Sequence, residues 1–128
     1  MLARASYLNG QFNMTTDNIK AILVSASYTV NTATDQFLNI VPGGAIVATS
    51  GNFTTKTTTG GTFDADDLTY TSVTGSAVIA CVIYQDTGTS STSRLIAYID
   101  TATGLPVTPN GGNIVVSWDN GANKIFTL

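Results

Sequence analysis

The sequence contains no histidine, no glutamate and a single cysteine, Cys81, and it carries few charges of either sign. Without histidine, the usual general base and the commonest metal ligand are missing, and serine and threonine hydroxyls have no imidazole to activate them. One cysteine cannot build a disulfide framework, and no Cys/His set exists to hold zinc. The five basic residues, Arg4, Lys20, Lys56, Arg94 and Lys124, are scattered along the chain, and the net charge is −3. No basic stripe therefore addresses a nucleic acid. No apolar run approaches the length of a membrane span, and residues 1–8 lack the apolar centre of a secretion signal. These absences lead to the expectation of no enzymatic activity, no cofactor, no nucleic-acid partner and no membrane partner.

What is present points to β structure. The 128 residues suffice for one domain that buries about two-thirds of its unfolded surface. Threonine, serine, asparagine and glycine are abundant, so the surface is mostly neutral and polar. Such a surface loses less on docking than a charged one, whose groups must be stripped of water. Threonine also favours strands for its own steric reasons, so composition alone does not separate a docking surface from an ordinary β protein.

Residues 19–25 are apolar on both faces, as in a strand covered from both sides. Residues 46–49, 53–58 and 67–73 read as short strands in which threonine alternates with larger residues, and Gly51, Gly60, Gly61 and Gly75 mark the bends. Residues 77–84 and 94–99 are nearly continuous apolar runs and form the expected centre of the core, joined by the polar loop 86–93. Asn120-Gly121 between 114–118 and 124–128 is a hairpin signal. Residues 2–9 suggest a short helix closed by Gly10, and residues 34–39 a helical turn capped by Thr34. The predicted fold class is all-β: a single antiparallel β-sandwich or jelly-roll-like barrel of about eight strands. Residues 1–16 form an N-terminal arm or short helix, and residues 17–128 the β domain.

Candidate chemistry is sparse. Pro109-Asn110-Gly111-Gly112 resembles a phosphate cradle in composition, but it opens onto the β-branched run Asn113-Ile114-Val115-Val116-Ser117-Trp118 rather than a helix. It is therefore read as a corner that delivers Trp118 into the core. Asp64, Asp66 and Asp67 place three carboxylates within four residues, a possible oxygen cluster for a hard cation or an acidic turn. Cys81 lies in an apolar run, where a thiol is a small core residue. In the N-terminal arm, Leu2, Tyr7, Leu8, Phe12 and Met14 place apolar groups outside the continuous strand region. They are candidates for attachment to a partner, or for closing one end of the sandwich.

Four blocks together carry a resemblance. They are Asp17-Asn18-Ile19-Lys20-Ala21-Ile22-Leu23-Val24, Phe63-Asp64-Ala65-Asp66-Asp67-Leu68-Thr69-Tyr70, the pair Val82-Ile83-Tyr84-Gln85-Asp86-Thr87-Gly88 and Leu95-Ile96-Ala97-Tyr98-Ile99-Asp100, and Trp118-Asp119-Asn120-Gly121. In this order the chain resembles a family of small structural proteins from tailed bacteriophages. The resemblance implies a β domain present in many copies on a virion, as a capsid decoration (cement) protein on the outer surface. Its implied partners are the major capsid protein and further copies of itself, with a homotrimer expected at a three-fold position. A tail or fibre role in host adhesion is the alternative. The resemblance supplies no catalytic, metal or cofactor-binding residue.

Overall fold

A computed structural model describes residues 3–128. At its centre is a four-stranded antiparallel sheet in the order β2-β1-β5-β6, formed by β1 (Ile19–Val24), β2 (Ile46–Thr49), β5 (Ala80–Gln85) and β6 (Leu95–Ile99). The alternation of β1 explains why this sheet has two dry faces. Ile19, Ala21 and Leu23 point to one side with Cys81 and Ile83, while Ile22 and Val24 point to the other with Ala80, Val82 and Tyr84. Bulges between Leu23 and Val24 and between Ile83 and Tyr84 shift the register against β2 and β6.

One face is covered by two ribbons and a helix. β3 (Thr62–Phe63) pairs with β8 (Phe126–Thr127), β4 (Leu68–Tyr70) pairs with β7 (Ile114–Val116), and α1 (Arg4–Leu8) closes the end. Phe53, Phe63, Leu68 and Tyr70 are buried there against the sheet. The other face is covered by the connection between β1 and β2, which has no strand of its own and buries Tyr28, Val41 and Ala45. In that connection the Tyr28 hydroxyl donates to Asp35 Oδ2 at 2.8 Å, and the Asn31 N–H donates to the same oxygen at 2.8 Å. A buried carboxylate is thereby satisfied.

The architecture is all-β, with eight strands in one four-stranded sheet and two ribbons among the described residues, plus one short helix. The helix ends where expected, with Gly10 at φ +63°. Three local expectations are corrected. Residues 53–58 are not a strand, because Thr55 adopts a left-handed φ of +54° and only Thr57 bridges, to Asp64. Thr34 caps nothing; Asn31 organises that turn through its carbonyl and side chain, and the 3-10 helix starts later, at Leu38–Ile40. The third is the hairpin at Asn120-Gly121. A two-residue hairpin turn of that composition needs positive φ at both residues, and neither has it. The flanking strands instead complete β4 and β3, burying Phe63, Leu68 and Tyr70.

Candidate functional sites

The N-terminal segment is built into the ribbon face. Ala3, Ser6 and Met14 are buried, and the Tyr7 ring meets Phe12 edge-on at 4.5 Å and Phe126 at 6.4 Å. Tyr7, Phe12 and Met14 thus line one groove of about 260 Å³ together with Phe63, Phe126 and Leu128. Leu8, one residue beyond Tyr7, points away from this groove and is 89 % exposed, and Leu128 at the groove's edge is 65 % exposed. Leu2 lies outside the described residues. The Tyr7 hydroxyl is buried without a hydrogen-bond partner, and burial pushes its pKa up, so the phenol stays protonated. Arg94 ties the helix to the sheet: Nη1 donates to Ser6 Oγ at 3.4 Å while the guanidinium lies 5.0 Å above the Phe37 ring.

A second, larger concavity of about 700 Å³ opens where β7 and the segment 102–107 stand off the sheet. Leu23, Cys81 and Ile99 form its floor, and Val116, Trp118 and Ile125 part of its wall. Its ionisable lining groups are Cys81, Asp119 and Lys124. Burial pushes the Cys81 thiol up to about 12, offset only in small part by the neighbouring Tyr70 hydroxyl, so at neutral pH the sulfur is an uncharged thiol. Trp118 does not enter the core fully, in contrast to the expectation. It is partly buried, its indole packs against Phe53 at 5.8 Å, and Nε1 donates to the Asp66 carbonyl at 3.1 Å. The corner before it is as expected: Gly111 holds φ at +86°, a region open to glycine and strained for side chains with a Cβ.

The three carboxylates of the acidic turn diverge. Asp64 faces Lys124 at 3.7 Å; Asp66 Oδ2 accepts from the Thr54 and Thr55 hydroxyls at 2.9 and 2.7 Å; and Asp67 Oδ1 accepts from the Trp118 N–H at 2.9 Å. The hydroxyl donors, Thr55 first, hold Asp66 below the usual carboxylate range. Among the described residues no group of three or more His, Cys, Asp or Glu side chains converges on a metal position. These aspartates pin the loop 64–67 to Trp118 and Lys124 beyond β7 and to residues 54–55, which is a structural task.

Sequence reasoning found Tyr7, Phe12 and Met14 but not their companions Phe63 and Phe126, which are over forty residues away from them and from each other. It missed the larger concavity altogether. No protein-family model matches this chain, and no curated protein matches its sequence.

Proposed function

We propose that this chain is a non-enzymatic structural protein of a tailed-bacteriophage virion, a decoration protein that binds the outer capsid surface and stabilises it. The observation that carries this reading is the apolar N-terminal end. There an open groove lined by Tyr7, Phe12 and Met14 lies beside Leu128, and Leu8 projects nearly bare into solvent. An apolar groove edged by the exposed Leu128, with a bare Leu8 nearby on the same terminal segment as Tyr7, fits a docking surface better than a reaction site. The four-block resemblance supplies the identity of the partner, the major capsid protein, and the location on the capsid exterior. Further copies of the chain complete the assembly as a homotrimer. In this reading the sheet and the two ribbons are the layers of a jelly-roll-like sandwich, and many modest contacts across many copies add up to particle stability.

The decisive measurement is a cryo-EM map of the parent particle combined with a binding assay on Leu8→Asp. Because Leu8 makes almost no intramolecular contact, the variant is expected to keep its melting temperature and lose capsid binding. Undiminished binding by Leu8→Asp, or a map that places the chain away from the capsid, would overturn the proposal. A second reading, a tail or fibre component that touches the host, is favoured by the indole beside the larger concavity. Titrating the fluorescence of Trp118, the sole tryptophan, with host glycans separates the two.

A further inference from the structure

Three asparagines are followed by glycine: Asn9, Asn110 and Asn120. In such a pair the glycine nitrogen can attack the asparagine Cγ, since no Cβ on the glycine obstructs the approach. A new N–C bond closes a succinimide ring, the N–H proton is lost, and the side-chain amide leaves as ammonia. Water then opens the ring at one carbonyl to give aspartate or at the other to give isoaspartate. The atom that must be free is the glycine nitrogen, and an N–H already committed to a hydrogen bond is harder to deprotonate and to turn toward Cγ.

All three asparagines are exposed, so burial does not distinguish them. Their glycine N–H groups are held very differently. That of Gly10 donates to the Tyr7 carbonyl at 3.1 Å inside the turn that closes α1. That of Gly111 donates to the Val73 carbonyl at 2.8 Å, and the Val73 N–H returns to the Gly112 carbonyl at 2.9 Å. The Asn110 amide oxygen is itself held by the Gly112 N–H at 2.9 Å. Two of the three nitrogens are therefore locked by main chain. The Gly121 N–H, by contrast, donates to Oδ1 of Asp119 at 2.9 Å, an exposed side chain that rotation about its own bonds can withdraw. Its segment joins β7 to β8, whose partners are β4 and β3, so no ladder steadies it.

We propose that Asn120 is a modification site, the asparagine that converts to aspartate or isoaspartate in the folded protein while Asn9 and Asn110 are held intact. Conversion places a new carboxylate next to Asp119 and near Lys124, whose Nζ donates to the Asn120 carbonyl at 3.3 Å. The mouth of the larger concavity gains negative charge. The isoaspartyl product also lengthens the backbone there by one methylene.

The test is peptide mapping by mass spectrometry after incubation at mildly alkaline pH, with the whole chain folded or held in denaturant. In the folded chain Asn120 is expected to convert first, and in denaturant the three rates should converge. Asp119→Ala should speed conversion of Asn120 roughly two- to tenfold in the folded chain, the range of one hydrogen bond's net worth, and leave the denatured rate little changed. Conversion of Asn9 or Asn110 as fast as Asn120 in the folded protein would overturn the assignment. So would the same ranking in denaturant, or no acceleration by Asp119→Ala.

Discussion

Removing the Trp118 indole separates a structural role from a recognition role. A fully buried tryptophan costs about 3–5 kcal/mol on truncation to alanine, but this ring is only partly buried and packs chiefly on Phe53. Retaining about half of that packing loss, roughly 2 kcal/mol, and adding about 1 kcal/mol or less for the Nε1 hydrogen bond to Asp66 gives about 2–3 kcal/mol in total. The bond from the Trp118 N–H to Asp67 belongs to the backbone and survives the substitution. For a domain of this size that is a fall in Tm of roughly 8–12 °C. Trp118→Phe keeps an aromatic face against Phe53 and loses only the hydrogen bond, at about 1 kcal/mol. Urea unfolding followed by circular dichroism measures both, since the variants lack the fluorophore. A Trp118→Ala protein within about 0.5 kcal/mol of wild type would refute the packing role. Equal losses for alanine and phenylalanine would show that the hydrogen bond, not the ring contact, carries the stability.

Two glycines at the corner before β7 should lose stability on substitution for different reasons. Gly111→Val meets nothing within 4 Å but must hold φ at +86°, so it should lower stability by about 1–3 kcal/mol through backbone strain alone. Gly112→Ala brings the new Cβ to 2.9 Å from Asn110 Oδ1, which must turn aside and give up its exposed bond from the Gly112 N–H, and should cost about 1 kcal/mol in the same denaturation assay. The Lys20–Asp86 pair, at 2.6 Å, should make stability acid-sensitive: the Lys20 ammonium, with help from the Gly88 N–H, holds Asp86 below its ordinary 3.8. The contribution is present above that value and disappears as pH falls through the folded-state pKa, so Asp86→Asn should flatten the acid limb of a Tm-against-pH profile by about 0.5–1 kcal/mol.

The parts of this fold that were legible in the sequence are those whose information is local. The two-sided burial of β1 is visible in residues 19–24, and β6 in residues 95–99, because side-chain alternation needs no knowledge of the rest of the chain. Gly10 and Gly111 were readable for the same reason, since the conformations they adopt are forbidden mainly to residues with a Cβ. Asn120-Gly121 misled because a dipeptide signals a hairpin only if its neighbours have no better partner, and β7 and β8 pair with strands more than forty residues earlier. The groove at the N-terminal end was half visible: Tyr7, Phe12 and Met14 stand out as apolar residues in a polar arm, whereas Phe63 and Phe126 look like any core phenylalanine. The larger concavity is lined by residues from Leu23 to Ile125, and a space left between elements has no signature in any one of them.

The way the ribbons are strung has a bearing on the order of folding. All four strands of the central sheet, and the connection that covers one of its faces, lie before residue 100 in the chain. The opposite face, with Leu23, Cys81 and Ile83, waits for β7 and β8, because β3 and β4 can complete their ribbons only with strands from residues 114–127. A chain that forms its sheet before its ribbons therefore has one apolar face open to water, and the long-range ribbon pairings are the slow part of folding. Until the ribbons close, Cys81 and its apolar neighbours on that face, buried in the folded protein, remain uncovered. Closing the last ribbon covers that face and removes the aggregation-prone surface of the intermediate.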